Sequence, residues 1–305
     1  MLSISHTTRY RYDRPVRLGP HRLLLRPRDG HDLRVLKSSL RISPPARLHW
    51  HFDTFGNSVA HALFADPSDH LEVQSNLLIK QYERMPPLLH PDWPKASMPP
   101  DYDEDEQIDL APFLAMEFPQ EAAGLQAWLD AVFQDRPDAT VVFLKALSAA
   151  IHNAFAYSRR EERGTQSALT TIHRKMGSCR DFAFLFMESA RLCGFAARFV
   201  TGYLHYDRGE VDDFVGGGST HAWADVYVPE EGWIQFDPTN LIDDSTALVR
   251  VAVTRTPLQA TPISGTYERG DSSFLGMDVS VNVREMSEDE HDAPFPSEPE
   301  ASSLS

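Results

Sequence analysis

Gly177-Ser178-Cys179-Arg180-Asp181-Phe182 is the stretch on which the fold turns. Ser178 followed three residues later by the acid Asp181 is a capping-box pattern, and it marks a helix start. Cys179 then stands at about the first helical position, where free backbone N–H groups and the positive end of the helix dipole favour a thiolate. Gly177 lets the backbone approach closely beside the sulfur. A buried, inert cysteine is as good a reading of these six residues alone, because cysteine is among the most buried residue types. Cys193, the only other cysteine, follows Leu192 near the expected helix end before Gly194 and reads as core packing.

Working outward, Thr220–Val228 and Trp233–Asp237 alternate as two strands joined by Pro229-Glu230-Glu231-Gly232. The spacing suits a three-residue loop with Gly232 as a left-handed bulge residue. In that register Ile234 faces Val226 and Phe236 faces Ala224. One face of the hairpin is then apolar, through Ala222, Ala224, Val226, Val228, Ile234 and Phe236. The other carries His221, Trp223, Asp225, Gln235 and Asp237. Asp237 falls opposite Trp223 and diagonal to His221, about 7 Å away between Cβ atoms, a gap that a carboxylate–imidazole hydrogen bond closes. An even-numbered loop would put the two on opposite faces. Taken singly, His221 reads as an ordinary strand residue and Asp237-Pro238 as a turn former. Together with a cysteine at a helix start they fit nucleophile, base and orienter: Cys179, His221 and Asp237.

These motifs, in this order, resemble the transglutaminase-like superfamily, whose core is shared with papain-like cysteine proteases. The matching residues are Ser167-Ala168-Leu169, Gly177–Phe182, Gly194–Tyr203, Thr220–Trp223 and Gly232–Asn240. Leu18–Arg28 and Asp53–Asn57 are similar to the β-domain that precedes this core in a bacterial subgroup. Where such bacterial proteins often carry Gly-Arg-Asp-Tyr after the triad, this chain has Thr254-Arg255-Thr256-Pro257. The resemblance implies Cys179 as nucleophile, His221 as base and Asp237 as its orienter. It also implies acyl transfer on a peptide or protein amide through a thioester. Hydrolysis is slightly favoured over glutamine crosslinking, and a non-catalytic binding or scaffold protein is the reading from another class. The Cys179 backbone N–H is an expected oxyanion donor; Trp223 and Tyr157 are side-chain candidates that read more naturally as packing residues.

The expected fold is α+β: a papain-like, transglutaminase-like core of helices on an antiparallel sheet, preceded by an all-β sandwich. Residues 1–84 read as that β-domain, with strands at Leu2–Tyr12, His21–Arg26, Leu36–Ile42, Leu48–Phe52, Ser58–Phe64 and Leu71–Lys80. Gly56-Asn57 supplies the turn of the fourth and fifth. Residues 85–107, with Pro86, Pro87, Pro91, Pro94, Pro99 and Pro100 and the acid run Asp101–Glu106, read as an extended linker and a solvated loop. Residues 108–285 read as the catalytic domain, with helices at Glu121–Phe133 and Ala139–Phe155 and closing strands at Leu248–Val253 and Ser273–Val283. Residues 286–305 read as a disordered acidic tail.

Composition narrows the partners. With 305 residues and 42% hydrophobic content the chain can bury two cores. A net charge of −15 argues against nucleic acid and anionic membranes. The acid run lacks the convergence a metal needs, so no metal or other cofactor is expected. The start has no apolar leader, no segment is long enough to span a membrane, and the two cysteines are about 20 Å apart along one helix, too far to bridge. These features lead to the expectation of a cytoplasmic protein.

Overall fold

Two sheets share one long strand's worth of contacts. The structure, a computed structural model, describes residues 1–82, 99–135, 137, 139–160, 164–205, 218–243, 245–268 and 270–287. Strand β1 (Leu2–Arg26) is one continuous strand of 25 residues where two shorter ones were expected. Its first half pairs with β5 (Ser68–Gln81) and its second with β4 (Ser58–Phe64), and the register slips between Arg11 and Val16. Irregular register of this kind bends a strand, and here it lets β1 serve both layers of the sandwich. β2 (Leu33–Ser43) flanks β5 and β3 (Ala46–Phe52) flanks β4. Tyr12, Val16, Leu23, Ala60, Ala62 and Val73 fill the space between the layers.

Helix α1 (Glu104–Leu114) corrects the reading of the acid run as a loop. Asp103 caps it by accepting from the Glu106 N–H at 2.8 Å, and Glu106 accepts in return from the Asp103 N–H. Acids in a first turn are stabilised by the helix dipole, so the run that suggested a solvated loop begins a helix. The rest of the expected linker, from 85 to 98, lies outside the described residues, as does the tail from 288 onward.

Helices α2 (Ala122–Val132) and α3 (Thr140–Ala154) fall where the apolar periodicity placed them. The short parallel pair β6 (Ala156–Tyr157) and β7 (Met176–Gly177) brackets α4 (Ala168–Arg174), which leads into α5 (Cys179–Leu192). Against α5 lies an antiparallel sheet in the order β11-β10-β9-β8-β12. Its members are β8 (Ala197–Leu204), β9 (His221–Val228), β10 (Gly232–Asp237), β11 (Ile242–Asp243) and β12 (Leu248–Thr254). Phe182, Leu185 and Phe186 of α5 pack with Ala222, Ala224, Val226, Ile234 and Phe236, the apolar face expected of the hairpin. No described helix is long and apolar enough to cross a membrane.

The five-stranded sheet ends at β12. The last two strands, β13 (Ile263–Glu268) and β14 (Phe274–Glu285), return to pair with β1, so the stretch read as closing strands of the second domain joins the sandwich instead. Alternation identifies a strand and not its partner; the partner is set by packing, with Val279, Val281 and Val283 joining Leu2, Ile4 and Ile79. Tyr203, Val249 and Val251 of the five-stranded sheet enter this same cluster and fuse the two halves. Polar ties reinforce the joint. The Asn57 amide donates to the Val253 carbonyl at 2.7 Å and accepts from the Val253 N–H at 2.9 Å, pairing with β12 as a backbone would. Arg22 donates to Asp53 and to the Gln259 carbonyl.

Gly202 sits where β8, β9 and β12 meet. A Cβ there would lie 2.0 Å from the Val249 carbonyl oxygen and 2.8 Å from the Trp223 ring. Gly202→Ala should therefore destabilise the protein by about 3 kcal/mol, seen as a lower Tm in thermal unfolding. An unchanged Tm would contradict this packing.

Candidate active site

The first turn of α5 is held by one buried carboxylate. Asp181 is fully buried, and its Oδ2 accepts from the Ser178 N–H and the Ser178 hydroxyl, each at 2.8 Å. Arg160 donates from Nε at 2.8 Å and from Nη2 at 3.0 Å, and the Gln166 N–H donates at 2.8 Å. Burial pushes the Asp181 pKa up, but Arg160 and the converging donors outweigh it and hold the group below its usual value. The capping box was legible in sequence; Arg160 and Gln166, from a preceding loop, were not.

This turn presents Cys179, half-buried against the α5 core. Its N–H is among the first of the helix, which have no intrahelical acceptor. Tyr157 is brought to the same place, because β6 pairs with β7 at Gly177 and the Ser158 N–H donates to the Gly177 carbonyl. Burial, followed by the neighbouring Cys179, pushes the Tyr157 pKa up to about 12. Cys193 instead ends α5 and packs against the core, as expected.

His221 opens β9, and the hairpin has the expected register: Gly232 opposite Val228, Ile234 opposite Val226, Phe236 opposite Ala224. Gly232 (φ 78°) and Glu230 (φ 67°) supply the left-handed turns that a three-residue loop needs. His221 Nε2–H consequently donates to Asp237 Oδ2 at 2.8 Å, with both side chains sealed from solvent. Asp237 is further held by the Thr239 N–H at 2.9 Å and by Asn240 Nδ2 at 3.0 Å. His152 fixes that turn by donating to the Thr239 carbonyl. None of these supporting roles was read from sequence, although Pro238-Thr239-Asn240 carries turn-forming residues.

Burial alone would lower the His221 pKa. The Asp237 charge and hydrogen bond, joined by the Cys179 side chain, overcome it and push the value up to about 10. For Asp237 burial works upward, and His221 with the donors around it wins, holding the carboxyl below its usual value. The other ring nitrogen, Nδ1, is buried and makes no hydrogen bond. Cys179 thus acts on the ring electrostatically without meeting hydrogen-bond geometry at Nδ1. The Cys179–His221 pair makes no hydrogen bond here; such contacts often tighten only when substrate binds. Trp223 stacks on the imidazole with ring centroids 6.2 Å apart and packs with Val200, Ile242 and Leu248. Its buried Nε1 has no partner. Among the described residues no three His, Cys, Asp or Glu side chains converge on a metal position.

Residues 2–80 match the family described as the bacterial transglutaminase-like N-terminal region. Residues 127–238 match the transglutaminase-like superfamily, a span that holds Cys179, His221 and Asp237. An uncharacterized protein of Mycobacterium leprae is 24% identical over 281 residues, covering 92% of this chain and 98% of that one. An uncharacterized protein of Mycobacterium tuberculosis is 28% identical over 298 residues, covering 92% and 91%. The crystal structure of a candidate cysteine protease from Cytophaga hutchinsonii is similar at a TM-score of 0.69 and 20% identity, over 94% of this chain and 91% of that one. A likeness at that identity shows a shared fold.

The buried pair makes stability depend on pH in a defined sense. His221 is raised from 6.5 to about 10, so its contribution is complete below pH 6.5 and is lost as pH climbs through about 10. Asp237 is depressed, so its contribution is present above 3.8 and is lost as pH falls through its folded value. In Asp237→Asn the imidazole keeps its burial and loses its counter-charge. Wild-type Tm minus variant Tm should therefore shrink between pH 6.5 and 10. A difference that stays constant across that range would contradict the charged pair.

Proposed function

The chain belongs to the transglutaminase-like superfamily, and from that premise we propose a cysteine-dependent enzyme that hydrolyses peptide or protein amides through a thioester. The observation carrying this reading is the buried His221–Asp237 pair, whose unpartnered Nδ1 lies on the ring that Cys179 perturbs.

In the proposed cycle, Asp237 keeps Nε2 protonated and His221 exchanges its catalytic proton at Nδ1. With the Cys179 proton on the ring, the thiolate attacks the amide carbonyl and a C–S bond forms. The oxyanion is met by the Cys179 backbone N–H, with the Tyr157 hydroxyl as a second donor from the adjoining strand. Collapse breaks the C–N bond, and the Nδ1 proton leaves with the departing amine. Water then gives a proton to Nδ1 as its oxygen attacks the thioester. The acid departs, and the sulfur returns to its starting state. Trp223, stacked on the ring, keeps the imidazole aligned. Glutamine crosslinking uses the same acyl-enzyme and replaces water with an amine.

Release of amine from a panel of peptide amides tests this reading, with the acyl products identified by mass spectrometry. Cys179→Ala should abolish release, a loss of at least about 10³-fold for removal of a nucleophile. Undiminished release would sink the proposal. Added primary amine that appears in the product would move the reaction from hydrolysis to transamidation.

A further inference from the structure

The rim of the Cys179 site carries an arginine that the acyl-transfer cycle does not use. Tyr157 pairs with Gly177 in the short parallel ladder of β6 and β7, and the ladder runs one step further, from the Ser158 N–H to the Gly177 carbonyl at 2.8 Å. Arg160 then turns inward. Its Nε donates to Asp181 at 2.8 Å, and its own carbonyl accepts from Arg180 Nη2 at 3.2 Å. Arg159 is therefore held between two residues that are both tied to the stretch from Gly177 to Asp181. Extending the register, in which Ala156 faces Met176 and Tyr157 faces Gly177, sets Arg159 level with Cys179.

Alternation along the extended chain decides where its side chain goes. Residues two apart share a face, so Arg159 stands on the side of Tyr157 and opposite Arg160. Tyr157 faces the site, because Cys179 and Asp237 both act on its hydroxyl. Burial is the main cause of the raised Tyr157 pKa and Cys179 adds to it, while Arg159 and then Arg180 pull the other way. The Arg159 charge thus reaches the same hydroxyl that senses Cys179. Arg160 is occupied by the buried Asp181. Arg159, by contrast, is exposed and makes no ion pair or hydrogen bond among the described residues.

A solvated guanidinium needs no partner; its position beside the first turn of α5 is what gives this one a role, since it meets whatever approaches the sulfur. Its planar fork matches a carboxylate with two parallel N–H···O bonds. The net charge of −15 repels anions at long range, so a carboxylate is drawn to Cys179 only by charges within a Debye length, about 8 Å at physiological salt. We propose that Arg159 makes Cys179 selective for acyl donors that carry a carboxylate next to the scissile amide, such as peptides with an acidic residue at the cleaved bond. The inference rests on Cys179 being the nucleophile of the proposed hydrolysis, and adds the charge of the substrate to that reading. Arg159 binds the carboxylate and takes no part in moving the proton.

Alkylation of the full-length protein by iodoacetate and by iodoacetamide tests it, because the two reagents differ by one negative charge and meet the same thiolate. Their rate ratio at Cys179, followed by peptide mapping, is compared with the ratio for 2-mercaptoethanol, a neutral free thiol. The ratio should be at least about fivefold higher at Cys179, the effect of one unit charge pair at about 4 Å in water. Arg159→Gln should remove most of that gain, and salt at about 1 M should suppress it. A ratio equal to that of 2-mercaptoethanol would overturn the inference. So would a raised ratio that survives Arg159→Gln, because the charge responsible would then lie elsewhere. The ratio is defined wherever the thiol ionises, so it decides the question even if Cys179 labels with iodoacetamide no faster than a free thiol, the separate result that counts against hydrolysis.

Discussion

A charged pair with no access to water is the constraint around which this molecule is arranged. His221 and Asp237 are both sealed from solvent and 2.8 Å apart. Removing two charges from water costs several kcal/mol each, and attraction offsets that only when the remaining hydrogen-bonding sites are filled. Thr239 and Asn240 fill those of Asp237, and His152 steadies the turn that supplies them. Nδ1 of His221, Nε1 of Trp223 and Oγ1 of Thr239 are left unfilled. Of these, Nδ1 belongs to the ring that Cys179 acts on.

The same logic explains the second buried charge centre. Asp181 does for the turn that presents Cys179 what Asn240 and Thr239 do for Asp237, because it accepts from Ser178, Gln166 and Arg160. At the other end of α5, buried Glu188 accepts from Arg191 at 3.0 Å and from the Glu117 N–H at 3.0 Å, while Arg191 donates to the Ala197 and Arg255 carbonyls. Helix α5 is thus pinned at both ends by ions that reach into different segments. Cys179 depends on the first clamp directly and on the second through the angle of the helix against β9. Arg255 lies in the segment that departs from the usual bacterial pattern, and here its carbonyl and its ion pair with Glu117 serve that clamp.

What could be read from sequence was what is decided locally. The loop Pro229–Glu231 with Gly232 fixes a register, and the register alone places Asp237 diagonal to His221. Ser178 and Asp181 fix a helix start in the same way. The rule that found that start also applies to Asp103 and Glu106, where the surrounding prolines and acids masked it and α1 was read as a loop. Long-range pairing was not legible. Nothing within Phe274–Glu285 distinguishes a partner in the five-stranded sheet from β1 at the far end of the chain. Arg160, Gln166 and the Glu188–Arg191 pair were missed for a related reason: a buried charge is recognisable only once its partners are known, and these lie in other elements.

The account stands or falls on whether Cys179 and His221 act as one unit. The direct measurement is iodoacetamide labelling across pH, resolved by peptide mapping into Cys179 and Cys193, in wild type and in His221→Ala. The account predicts rapid labelling of Cys179 at neutral pH, well ahead of Cys193, and loss of that advantage in the variant. Equal labelling of the two cysteines, confined to alkaline pH and indifferent to His221, would contradict it and leave a transglutaminase-like fold with an idle thiol.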